Sequence, residues 1–172
     1  KNHKDINVAD IQFNQRDENI IDIKMVNAAA WLIPKKTLEI VGGFSPLFFL
    51  YGEDDNYCQR VKFHNLKIGI CPGSYIKHDS GTSYHIDIRP GSEEYYRRFL
   101  NQVIVIGGDV NEGKEKFEQL RKSQKQEIIK GFLKFRFRKV LIDFQKWRMI
   151  KDMDFSKEIH EERKKNSHYL DI

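Results

Sequence analysis

Cysteine is scarce in this chain of 172 residues: only Cys58 and Cys71 occur. They fall in a helical and a strand-like segment, which reads as two reduced thiols and fits a cytoplasmic setting. Long apolar runs are missing, which excludes a membrane-spanning helix. The charged start Lys1-Asn2-His3-Lys4-Asp5 does not read as a signal peptide. No internal repeat or low-complexity tract is present, which excludes solenoid and linker-like organisation. Charge of one sign is also in short supply. Lys and Arg number 30 against 25 Asp and Glu, a net +5 with a pI near 9.1. That excess is too small to name nucleic acid as a partner. What remains is enough chain to bury one core and carry a helical appendage.

The most informative segment is Glu53-Asp54-Asp55, which follows the aromatic run Phe48-Phe49-Leu50-Tyr51-Gly52 and opens a helical pattern reaching Arg60-Val61. Three adjacent acids repel one another, and aromatic neighbours threaten to desolvate them. Such a cluster is kept most easily against a cation, a substrate hydroxyl or a helix N-terminus. A solvated helix start, with acids opposing the positive end of the dipole, is the plainer alternative.

The residues around the cluster read as one unit from Ile20 to Ser83. Ile20–Val26 alternates as a strand does. Ala28-Ala29-Ala30 is a small-residue run that lets a ligand or backbone come close, and Trp31 adds a flat face. Pro34 to Val41 reads as a short helix with Pro in its first turn and Gly42 or Gly43 to end it. Tyr57, Val61 and His64 recur at helical spacing, and Asn65 stops that helix. Leu66 to Cys71 is a second strand broken by Pro72-Gly73, and Ser74 to Lys77 is a third that delivers His78.

On these residues, Ala28 to Ser83 resembles the second half of the catalytic domain of a family 2 glycosyltransferase of the rhamnosyltransferase-like kind. Gly42-Gly43-Phe44, Phe48-Phe49, Glu53-Asp54, Arg60, Pro72 and His78 fall where that family's pattern wants them. The resemblance implies an α/β fold, the C-terminal portion of a GT-A-like nucleotide-diphospho-sugar transferase, followed by a helical extension. It implies inverting transfer from a nucleotide-sugar to a glycan or lipid-linked acceptor, in polysaccharide biosynthesis. Asp54 aligns with the general base. Glu53, Asp55, Trp31, Tyr51 and Arg60 become candidates for holding acceptor or donor. His78 becomes a candidate for the shell of a divalent metal, Mg or Mn. Two positions depart from the pattern: Ser45 and Asn56 stand where the family usually has Asp.

A larger departure precedes Ile20. The first nineteen residues are too few for the family's nucleotide-binding half with its Asp-x-Asp metal motif. The chain therefore reads as the C-terminal part of a larger enzyme, with little activity alone. Asp152-Met153-Asp154 matches the motif by letters only, since no apolar strand leads into it.

The second half is helical. Gly81 to Gly91 reads as a loop, and Ser92 caps a helix ending at Gly107-Gly108. Gly108 to Lys114 spells Gly-x4-Gly-Lys, yet Glu115 stands where a phosphate loop needs Ser or Thr. One long helix is expected from about 115 to 151. Its stripe of Ile129, Leu133, Phe137, Val140, Leu141, Phe144 and Trp147 is flanked by Lys130, Lys134, Arg138, Lys139 and Lys146. Residues from Ser156 onward read as a fraying charged tail. This divides the chain into a catalytic segment, 1–108, and a basic helical extension, 109–172. The stripe fits packing on the domain, a homodimer through these helices, or docking on an anionic membrane surface from the cytoplasmic side. A non-catalytic helical module that binds a membrane or a protein partner is the rival to the transferase reading.

Overall fold

The structure, a computed structural model, describes residues 20–48, 51–72, 74, 88–164 and 169–170. These residues form a mixed α/β arrangement dominated by helices. In chain order the elements are β1 (Ile21–Ile23), α1 (Lys35–Val41), α2 (Glu53–Phe63), β2 (Ile68–Ile70), α3 (Glu93–Gly107), α4 (Gly113–Leu133), α5 (Phe137–Ile150) and α6 (Ser156–Glu162). Strands β1 and β2 pair antiparallel, with Ile21 opposite Ile70 and Ile23 opposite Ile68. The expected third strand and His78 lie outside the described residues, apart from Ser74.

Local chemistry explains several helix ends. Pro34 precedes α1, whose last turn is closed by Gly42 N–H donating to Leu38 O. Asn65 ends α2 in a left-handed conformation, with Asn65 N–H bonding to Lys62 O and Leu66 N–H to Val61 O. That pair of bonds satisfies carbonyls the helix leaves open. Ser92 caps α3 by accepting from Tyr95 N–H at 3.2 Å.

The helix expected from 115 to 151 is instead two. Phe135 takes a φ of 53°, and Phe135 N–H and Arg136 N–H bond back to Phe132 O and Gly131 O. This is the closing pattern seen at Asn65, built on a phenylalanine. A residue with a Cβ loses roughly 1–2 kcal/mol in that conformation, so the sequence carries no ordinary stop signal. The chain reverses, and α5 packs along α4. Close approach depends on Gly131, where a Cβ would lie 2.7 Å from Val140 Cγ2.

Two apolar clusters organise the fold. Val41, Tyr57 and Val61 pack with Trp31, Leu38, Leu66 and Ile68 around α1, α2 and β2. Phe99, Val103, Phe117, Ile150, Phe155 and Ile159 join α3, α4, α5 and α6. The second cluster draws residues from both sides of position 108. It also corrects the expectation of a frayed tail: α6 lies across Ser156–Glu162 and buries Ile159. An apolar residue between charged neighbours became core because Phe117 and Phe155 supply the matching surface.

Candidate active site

The acidic cluster enters α2 through a turn with two left-handed residues, Tyr51 (φ 68°) and Gly52 (φ 102°). Gly52 is required there, since a Cβ would also meet Val105 Cγ2 at 2.7 Å. Glu53, Asp54 and Asp55 then occupy the first turn, with no side chain capping the helix. Their negative charge faces the open N–H groups of α2, which favours it.

Asp54 connects two segments. One carboxylate oxygen accepts from Asp55 N–H at 2.9 Å, and the other accepts from Ala28 N–H at 3.4 Å. The run Ala28-Ala29-Ala30 therefore lies beside Asp54, and all three alanines are exposed. Trp31 forms the adjoining wall. It is half-buried, stacks on Phe44 at 6.0 Å between ring centres, and donates through Nε1 to Asn27 O. Tyr51 is 63% exposed. The arrangement is a carboxylate at a helix head, open on the side of small residues and flanked by aromatic faces.

The neighbouring acids behave differently. Burial, then the charges of Asp54 and Glu53, raise the Asp55 carboxyl above the usual range. Asp55 thus feels both its burial and the repulsion of the two acids before it. One oxygen of Glu53 is buried with no hydrogen-bond partner among the described residues. That geometry turns one Glu53 oxygen inward while the residue as a whole is half-buried. Burial also raises the Cys58 thiol.

Arg60 requires a correction. It was a candidate for holding donor or acceptor, yet its exposure is 0%. Its guanidinium donates to Val41 O at 3.0 Å, to Gly43 O and to Asn56 Oδ1 at 3.2 Å. It also lies over the rings of Tyr57 and Tyr169. Arg60 ties α2 to the end of α1 and does not face the acidic turn's solvent side.

The two departures from the family pattern meet at this arginine. Asn56 Nδ2 donates to Glu162 at 2.8 Å. Burial pushes the Glu162 carboxyl up, while the Asn56 amide, the Arg60 charge and the Ser45 hydroxyl pull it back. Ser45, Asn56 and Glu162 are all buried. Neutral side chains at 45 and 56 thus surround the one carboxyl that α6 delivers, where the Arg60 charge acts on it. Sequence reading missed Glu162, although the two acids absent at 45 and 56 were the available signal.

Among the described residues, no group of His, Cys, Asp and Glu is arranged to hold a metal ion. The acids of α2 therefore do not by themselves fit the divalent metal that the resemblance implies, and His78 lies outside the described residues. The two decoys have structural explanations. Asp154 accepts from Ser156 N–H and Oγ at the start of α6. Val103 to Ile106 belong to helix α3, so no strand leads into the Gly-x4-Gly-Lys segment.

Helix α3 brings Arg97 near Tyr51, with its charge already engaged. Glu94 binds both Arg97 and Arg98, which lowers the Glu94 carboxyl pKa to about 2. No helix among the described residues is long and apolar enough to cross a membrane. Comparison with protein-family models, curated proteins and solved structures returned no match for this chain.

Proposed function

We propose that this chain is the acceptor-side segment of an inverting glycosyltransferase of GT-A type, with Asp54 as general base. The observation that carries the reading is the placement of Asp54: at the head of α2, beside the exposed Ala28–Ala30 run. A sugar hydroxyl can approach there without meeting bulky side chains, and the Trp31 and Tyr51 rings offer faces for a glycan.

As the acceptor oxygen bonds to the anomeric carbon, its proton passes to an Asp54 carboxylate oxygen. The bond from that carbon to the diphosphate oxygen breaks, the electron pair leaves with the diphosphate, and configuration inverts. A positioned base accelerates such a step by about 10²–10⁴-fold. Asp55, whose carboxyl is raised by burial and by the acids before it, stands next to the base. The nucleotide diphosphate and any metal belong, on this reading, to an N-terminal half carrying Asp-x-Asp.

The test uses the enzyme that joins this chain to that half. Asp54→Asn should lower transfer at saturating donor and acceptor by about 10²–10⁴-fold, with donor affinity and thermal midpoint retained. Near wild-type turnover would remove Asp54 from the chemistry. Calorimetric titration of the 172-residue chain with nucleoside diphosphate and manganese should show no tight binding. Saturable micromolar binding would place the donor site on this chain instead.

A further inference from the structure

The reversal between α4 and α5 interleaves rings with cations: Lys130-Gly131-Phe132-Leu133-Lys134-Phe135-Arg136-Phe137-Arg138. Phe132, Leu133, Phe135 and Phe137 are all exposed, Phe135 to 79%. Contiguous exposed apolar surface of this kind marks a binding face. Local stability does not account for it. Phe135 holds the left-handed position that glycine fills more easily, and its ring meets Phe137 edge-on.

The cations at the reversal are in excess. Glu127 bonds Lys130 and Lys139, and Asp143 bonds Lys139. Lys134, Arg136 and Arg138 have no ion pair among the described residues. A cleft of about 270 Å³ opens here, lined by Lys130, Lys134, Arg136 and Lys139 against the single acid Glu127.

We propose that this end of the α4–α5 hairpin docks on an anionic phospholipid bilayer. The rings of Phe132, Phe135 and Phe137 enter the interface, and the basic cleft receives a lipid phosphate. Alternating aromatic and cationic side chains match a surface that is apolar beneath and anionic above. The hairpin end carries a net positive charge, so two copies meeting through it would repel. A soluble anion would satisfy the cleft but leave the rings in water. With no spanning helix among the described residues, the contact is interfacial. It stands independently of the transferase reading.

Co-sedimentation with phosphatidylglycerol–phosphatidylcholine vesicles, against phosphatidylcholine alone, tests it. The chain should partition onto the anionic vesicles at low salt and release as salt shortens electrostatic reach. Phe135→Gly and Arg136→Glu should each weaken partitioning by at least about fivefold without lowering the thermal midpoint. Lys122→Glu, away from the reversal, should bind close to wild type. Failure to sediment at low salt, equal binding to neutral vesicles, or unaltered binding by both hairpin variants would each overturn the proposal. So would a concentration-dependent dimer lost in Phe135→Gly, which would show a second copy covering this face.

Discussion

The head of α2 and the reversal between α4 and α5 use the same ingredients with opposite sign. Each places like charges beside aromatic rings, and each is reached through a non-glycine residue in the left-handed region, Tyr51 and Phe135. Their surroundings differ. At α2 the charges are folded against the chain: Asp54 accepts from Ala28 N–H, and Trp31, Phe44 and Tyr57 pack together nearby. At the reversal the rings stand in solvent and three cations lack acidic partners among the described residues. The first is a site prearranged within the fold. The second is a surface left open to solvent.

The largest effect that sharpens this contrast is on transfer. Asp54→Asn should remove activity in the joined enzyme without moving the thermal midpoint, whereas Phe135→Gly should leave turnover on a soluble acceptor unchanged. A loss of turnover in Phe135→Gly would mean that the two regions are coupled.

Next in size is the buried charge beneath the acidic turn. Glu162→Ala strips Arg60 of the carboxylate α6 supplies and leaves the Asn56 amide without that acceptor. Leaving a buried hydrogen-bonding group without its partner destabilises by about 1–3 kcal/mol, which denaturant unfolding reads directly. A change below about 1 kcal/mol, as for an exposed pair, would mean that Arg60 is neutralised by other means.

A smaller effect of opposite sign belongs to the hairpin. Phe135→Gly relieves a left-handed residue that has a Cβ, so stability should rise by up to about 1 kcal/mol. Loss of stability would show that the Phe135 ring supports the fold, and the comparison with α2 would fail.

The smallest effect tests the acidic turn through pH. Asp55 has a folded-state pKa raised above 3.8. The unfolded chain therefore releases this proton first. The resulting stabilisation is full below that value and lost as pH rises through the folded pKa. Asp55→Asn should raise the thermal midpoint at neutral pH, and the gain should vanish on acidification below the ordinary carboxyl value. An equal gain at every pH would assign the effect to something other than this titration.

Local signals were legible where one or two residues decide the geometry. Pro34 and Gly42 bound α1, Ser92 caps α3, and Asn65 turns the chain out of α2. The acidic turn was legible too, because three adjacent carboxylates beside aromatics are costly without a reason. The break at Phe135 was not. The amphipathic stripe runs past it, and its left-handed residue belongs to a type that ordinarily avoids that conformation.

Sequence alone thus determined α1, α2 and α3 as helices, the residues that bound α1 and cap α3, and which carboxylates stand at the head of α2. These depend on neighbours within a turn or two along the chain. Only the tertiary structure decided that Arg60 is a core residue, that Glu162 lies where its charge acts, that α6 packs into the fold, and that the rings at the α4–α5 reversal face solvent. Those outcomes depend on what arrives from far along the chain, as when Glu162 meets Asn56 across 106 positions. Burial and electrostatic pairing act through space, so a residue's type sets what it can do, and its distant neighbours set which of those things it does.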